Sequence, residues 1–311
     1  MYNSILFREG IRYRDSDMDN IKRMLSNKYG LSLVYVDVSE TAKELEKRHL
    51  SGPASSMALG QALLAVSMIS IRLKGEKERL SFQLKVDGPI GGMLVEAGAN
   101  GELRGYAEVK LLDSIDGNED LDIKDIMGNQ GILSVMHSSD SRVIYSGQIN
   151  VSPADIKTVT ARYFNQSEQI PTGLELYSDM LDFRVNHIRG IMVQKMPGAD
   201  TEKFVEVLEK LGSRELKEGL KEGLDPDRIR GIFDLEDLAL LDTKPLKFAC
   251  RCSQEKSVSI MGTLKDIELQ EIIKSGEVQK ITCHFCGETY SIKPEELHSI
   301  LLGKADMEKP M

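Results

Sequence analysis

Apolar and polar positions change their period several times along the chain, and each change predicts an element. Residues 18–29 read as a helix, and residues 31–38 read as a strand from their alternating apolar positions. Ser51-Gly52-Pro53 then announces a helix, with Pro at the first helical position, running through Met57, Leu59, Leu63, Leu64, Met68 and Ile71. It is apolar nearly all round and carries small residues at Ala54, Ala58, Gly60 and Ala65, so it is expected to be buried, with Gly75 as its stop signal. Five strand-like runs follow at 80–86, 92–97, 105–111, 131–136 and 143–151. They are separated by the turn signals Asp87-Gly88-Pro89, Ala99-Asn100-Gly101, Asp116-Gly117-Asn118 and Gly128-Asn129, a pattern for antiparallel sheet. Ser152-Pro153 opens a helix through Ile156, Val159 and Phe164, and residues 188–196 supply a last strand before Pro197-Gly198. Residues 1–198 are therefore expected to form one large α+β core domain of sheet and helix.

The pattern changes at residues 199–244, where 13 acidic residues face eight basic ones. Phe204, Val205, Val207, Leu208 and Leu211 mark an amphipathic helix. Leu216, Leu220 and Leu224 then recur at i, i+4 and i+8 in a repeated Leu-Lys-Glu-Gly tetrapeptide. That spacing says helix, yet Gly219 and Gly223 would each cost about 1 kcal/mol relative to Ala inside one. Two readings stay open. One glycine caps the helix while the other lies in a loop, or the segment is a metastable helical linker that a modest push orders or melts.

Residues 245–311 read as a small third module. Two short helices are expected at 255–264 and 266–274, the second ended by Gly276. A hairpin follows over 278–282 and 289–292, and Pro294 opens a final helix through Leu297, Ile300 and Leu301.

Composition changes this picture little. Apolar residues make up 41% and charged residues 29%, ordinary for a globular chain, while the absence of Trp leaves the core to Leu, Ile, Val and Met. A net charge of −9 disfavours a nucleic-acid binder, which needs clustered Lys and Arg. The N-terminus lacks a signal-peptide pattern, and the apolar stretch near 62–71 looks too short to span a membrane. A cytoplasmic protein is expected.

The cysteines change it most. All four fall at or after residue 250, as Cys250-Arg251-Cys252 and Cys283-His284-Phe285-Cys286, with 30 residues between the pairs. Two close pairs flanking a loop of that size is zinc-ligand spacing, and four thiolates make a tetrahedral site. The single residue between Cys250 and Cys252 also lets that pair oxidise to a disulfide. A module this small is below the size that usually folds alone, so the metal is expected to hold it together. Metal-bound thiolates are also the form that oxidants attack. His284 is expected to face solvent rather than to bind. Catalytic signatures are thin: no phosphate loop is present, Gly88-Pro89-Ile90-Gly91-Gly92 reads as a strand turn, and His49, His137, His187 and His298 have no evident nucleophile. On residues alone a zinc ribbon that binds nucleic acid, or a thiol–disulfide oxidoreductase using Cys283 and Cys286, stays open beside an oxidation-driven unfolding switch.

The segments Phe248-Ala249-Cys250-Arg251-Cys252-Ser253 and Thr282-Cys283-His284-Phe285-Cys286-Gly287-Glu288-Thr289-Tyr290 resemble the zinc motif of the redox-regulated heat-shock holdase chaperones of thirty-three kilodaltons. So do Gly101-Glu102-Leu103-Arg104-Gly105-Tyr106, Tyr145-Ser146-Gly147, the run from Tyr163 to Pro171, and Val193-Gln194-Lys195-Met196-Pro197, in the family's order. The first fifty residues match that pattern least. The resemblance implies a non-enzymatic, ATP-independent chaperone that, when reduced, holds one Zn2+ through Cys250, Cys252, Cys283 and Cys286 and is inactive. Oxidation would form the disulfides Cys250–Cys252 and Cys283–Cys286, release zinc and unfold the linker around Gly219 and Gly223. The protein would then dimerise and hold unfolding or oxidatively damaged clients, with no role for nucleic acid or membrane.

Overall fold

Residues 18–29 contain not the expected helix but strand β1 (Asn20–Ser26). The computed structural model, which describes residues 18–118, 122–140 and 142–307, shows why the pattern misleads. β1 lies between β2 (Leu31–Asp37) and a late strand, and both sheet faces are covered, so Ile21 is buried on one side and Met24 on the other. A strand buried on both faces loses clean alternation. The first 17 residues of the expected core domain lie outside the described residues.

Helix α1 (Ser39–His49) has no side-chain cap from its own N-cap residue, Val38. Its first amides are held instead by two aspartates, one distant in sequence and one just before the helix. Asp19 accepts from the Glu40 and Thr41 amides at 2.8 and 2.7 Å, and Asp37 accepts from the Ser39 amide at 3.0 Å. Burial pushes the Asp19 carboxyl up to about 7, the nearby Asp37 carboxylate adding to this against the hydrogen bonds from Thr41 and Glu40. The folded state therefore holds this proton more tightly than the unfolded chain. The resulting stability is fully present below about pH 4 and is lost as pH rises through about 7, at no more than about 1.4 kcal/mol per pH unit. Chemical denaturation at pH 5.5 and 8 is expected to show a lower midpoint at pH 8, and Asp19→Asn to shrink that difference. Equal pH dependence in the two proteins would assign it to other groups.

Helix α2 (Pro53–Ser70) is long and apolar enough to cross a membrane by length and composition, longer than the stretch read from the sequence, but it is 89% buried inside the protein. It lies between two sheets, which explains why it is apolar all round. One is a six-stranded sheet built from β3 (Glu78–Val86), β4 (Gly92–Gly98), β5 (Glu102–Ala107), β6 (Gly131–Ser139) and β7 (Arg142–Val151), completed by a short late strand beside β5. The expected strand over 105–111 starts three residues early as β5, because Gly105 is inside the strand: a Cβ there would meet Val95 Cγ1 at 2.5 Å. The 87–91 segment is the strand turn expected of it, Val86 N–H donating to the Gly91 carbonyl at 2.9 Å. α3 (Ile123–Met127) packs on α2, as does α4 (Ile156–Gln166), whose cap is Asp155 rather than Ser152.

β8 (Thr172–Leu181) and β9 (Arg184–Lys195) complete one edge of the other, five-stranded sheet, whose order is β10-β1-β2-β9-β8, with β10 the late strand Ala239–Pro245. Its second face is covered by three helices from the 199–244 segment: α5 (Thr201–Leu211), α6 (Arg214–Glu222) and α7 (Pro226–Phe233). Leu216, Leu220, Ile229 and Phe233 are fully buried there with Leu31, Leu33, Ile191 and Val193 of the sheet. The segment ends as β10 (Ala239–Pro245) on β1, and β11 (Lys247–Phe248) then pairs with β5. The chain divides into two compact units, one ending at Ala249 and one beginning at Cys250.

The two linker glycines take different roles. Gly219 is inside α6, where a Cβ would meet Leu224 Cδ2 at 2.6 Å. Gly223 is the C-cap at φ 94°, a conformation that strains any residue with a Cβ. Gly223 is thus the capping glycine, and Gly219 is inside the helix rather than in a loop.

Candidate metal centre

Among its described residues, the unit that begins at Cys250 has a core of three fully buried apolar residues, Leu269, Ile292 and Leu297. They come from α9 (Asp266–Ser275), from β13 (Thr289–Ile292) of the hairpin with β12 (Gln279–Thr282), and from α10 (Pro294–Met307). α8 (Gln254–Met261) is capped by Ser253, whose Oγ accepts from the Lys256 amide at 3.2 Å. That cap ends the extended Cys250–Cys252 stretch and fixes where it meets the helix.

Cys283 and Cys286 occupy the turn between β12 and β13. The Cys283 N–H donates to the Glu288 carbonyl and the Gly287 N–H to the Cys283 carbonyl, both at 2.8 Å. Gly287 takes φ 74°, which closes the knuckle under the thiols. The four Sγ atoms lie within 4.8 Å of one another. Cys250 is 3.4 Å from Cys252 and 3.7 Å from Cys283, and Cys252 is 3.3 Å from Cys286. These separations far exceed a disulfide bond of about 2.05 Å. They approach the edge of about 3.8 Å that four sulfurs set around an ion at about 2.3 Å. The donor set therefore fits a tetrahedral metal site.

Charge leads to the same conclusion. Burial pushes the Cys250 thiol up, but hydrogen bonds from the Cys252 backbone and the neighbouring thiols outweigh it and bring it down to about 7. Burial pushes Cys286 and Cys283 up, and neighbouring cysteine sulfurs facing them at close range add to this. Only a cation lets all four ionise together. Tyr290 adds a contact that sequence spacing alone did not single out. Its hydroxyl donates to Cys252 Sγ at 3.0 Å from β13, next to the knuckle.

The structure thus brings together all four cysteines that the sequence selected and leaves His284 exposed and outside the group. His137 is part of a different pair, its Nε2 lying 3.0 Å from Glu78 Oε2 across β3 and β6. Gly219 and Gly223 belong to the first unit.

Comparison with known proteins agrees in breadth. A family model described as Hsp33 protein matches residues 19–293. The 33 kDa chaperonin of Lacticaseibacillus casei (strain BL23) is 32% identical over 291 residues, spanning 91% of this chain and 98% of the relative. That of Geobacillus kaustophilus (strain HTA426) is 31% identical over 267 residues, spanning 84% and 90%. In fold, the chain is similar to a crystal structure of the 33 kDa chaperonin (heat shock protein 33 homolog) from Thermotoga maritima. That match has a TM-score of 0.83 and 24% identity, and covers 93% of this chain and 99% of that one.

Proposed function

The chain belongs to the Hsp33 family of chaperones, and from that membership we propose that it is a cytoplasmic, ATP-independent holdase switched on by oxidation. The observation that carries this reading is the cluster of four free thiols at metal-ligand spacing in a unit with a small apolar core. Cys250, Cys252, Cys283 and Cys286 would hold one Zn2+, which organises that unit and keeps the thiols ionised. The chemistry needs no catalytic site.

Peroxide converts each thiol pair to a disulfide. Two electrons pass from the two thiolates to one peroxide, which takes two protons from solvent and leaves as two waters, so two peroxides consume all four donors and free the ion they would hold. Fold and metal binding are then lost together. The resemblance pairs Cys250 with Cys252 and Cys283 with Cys286, although the Cys252–Cys286 approach of 3.3 Å is as short as the 3.4 Å between Cys250 and Cys252. Residues 199–244 act as the bistable segment. Released from the five-stranded sheet, they uncover Leu31, Leu33, Ile191 and Val193 together with their own Leu216 and Leu220. Such a surface fits exposed apolar segments of unfolding or oxidised clients and a second copy of the oxidised chain.

The test is light scattering of a thermally aggregating client, with zinc release followed by a chromogenic chelator and disulfides mapped by mass spectrometry. Suppression that appears only after peroxide and tracks the loss of one zinc per chain is expected. Equal suppression by the reduced and oxidised proteins would overturn the switch.

A further inference from the structure

The connection between α6 and α7 has one capping group of its own, Asp225, which accepts from the Arg228 amide at 2.8 Å; the end of α6 is held by side chains of the five-stranded sheet. Arg189 on β9 is nearly buried and pairs across the strands with Asp37 on β2, its Nε donating to Asp37 Oδ2 at 2.6 Å. The other end of the same guanidinium leaves the sheet. Nη1 donates to the Leu220 carbonyl at 3.0 Å and to the Lys221 carbonyl at 2.6 Å, two of the orphan acceptors at the end of α6. Two neighbours on that sheet face extend the pattern. Lys22 Nζ donates to the Leu224 carbonyl at 3.1 Å, and Tyr35 Oη accepts from the Leu224 amide at 3.4 Å. Gly223, bent to φ 94°, brings the chain over the guanidinium, where an added Cβ would sit 3.6 Å from Arg189 Cζ.

We propose that Arg189 is a positioning residue of the switch: its planar fork, anchored by Asp37, ends α6 and pins residues 220–224 to the sheet, so the folded inactive arrangement depends on it. The inference rests on the holdase reading and deepens it by naming the residue through which the sheet holds the segment. Chemistry favours Arg in this role. One guanidinium serves a carboxylate along one edge and helix carbonyls along another, whereas a Lys ammonium is a single point charge that can keep the ion pair but not the span. The favourable meeting of a cation with a helix C-terminus adds to the hold. Lys22 and Tyr35 act on the residue after Gly223, so the contacts flank the bend from both sides.

Arg189→Lys is therefore the informative variant, because it leaves Asp37 a charged partner. Hydrogen exchange of the reduced, zinc-loaded protein is expected to rise at least tenfold at the amides of residues 214–224, while β3 and β4 exchange as in the parent and one zinc per chain is retained. The same variant is expected to suppress client aggregation without oxidant. Unchanged exchange at 214–224 would overturn the proposal, whatever the chaperone assay shows. Faster exchange without client protection would uphold Arg189 as the pin and overturn the view that release of this segment activates the protein. Tyr35→Phe, which keeps the ring and removes the acceptor, covers the case in which Arg189→Lys fails to fold. It is expected to give a smaller rise confined to the same amides, and no rise there would likewise count against the pin.

Discussion

Cys286→Ser is expected to unfold the unit beyond Cys250 under reducing conditions while leaving the unit before it intact. Cys286 is the one buried cysteine of the four, and a serine hydroxyl does not ionise to replace the lost thiolate. Structural zinc sites of this kind contribute about 10–16 kcal/mol of apparent binding energy, and for a small module that energy is folding energy. Among the described residues only Leu269, Ile292 and Leu297 are fully buried apolar residues here, with half-buried side chains packed around them, a small core for independent stability. Chelation of the parent protein is expected to have the same effect. Hydrogen exchange resolved by segment is the measurement: α8, α9 and α10 should lose protection together, with α2 and β9 unaffected. Retained protection in α9 after metal removal would show that the core suffices without the ion, and the oxidative switch would then lack its trigger.

Such an outcome turns on residues that the sequence displays openly. The four cysteines were legible because metal chemistry depends on residue type and spacing, and the same holds for the hairpin knuckle around Gly287. The buried helix α2 was legible for a similar reason, since apolar residues on every face have few other destinations. What stayed hidden was determined by partners distant in sequence. The start of α1 was hidden in part because two of its first amides are capped by Asp19, about twenty residues earlier, and its N-cap residue is Val38. β8 was missed because its hairpin with β9 turns on Asp182 and Phe183, both at positive φ, without the glycine that normally marks such a turn. β1 was misread as helix because both of its faces are buried. The 199–244 segment showed its leucine spacing and its glycines, but not that its helices cover a sheet face or that Arg189 ends one of them. Those facts depend on β9, and no local pattern encodes them.

Leu220→Ala tests directly whether that cover controls activity. Leu220 is fully buried between α6 and the sheet, and truncating such a leucine costs about 2–5 kcal/mol. α6 has nine residues with Gly219 in its interior, so it has little intrinsic helical stability to absorb the loss. If release of α5–α7 is a local equilibrium, the change multiplies the released population by about 30-fold or more, since each 1.4 kcal/mol is tenfold. The reduced variant is then expected to hold an aggregating client without peroxide and with its zinc still bound, uncoupling activity from oxidation. Leu63→Ala is the control. Leu63 is equally buried, but it lies in α2 between the two sheets. Its loss weakens the core without favouring release of the 199–244 segment, so that variant should unfold at lower temperature and still require oxidant. Were Leu220→Ala to speed exchange across α6 and yet depend on peroxide as the parent does, the helices would not be the cover, and the client surface would have to lie elsewhere on the chain.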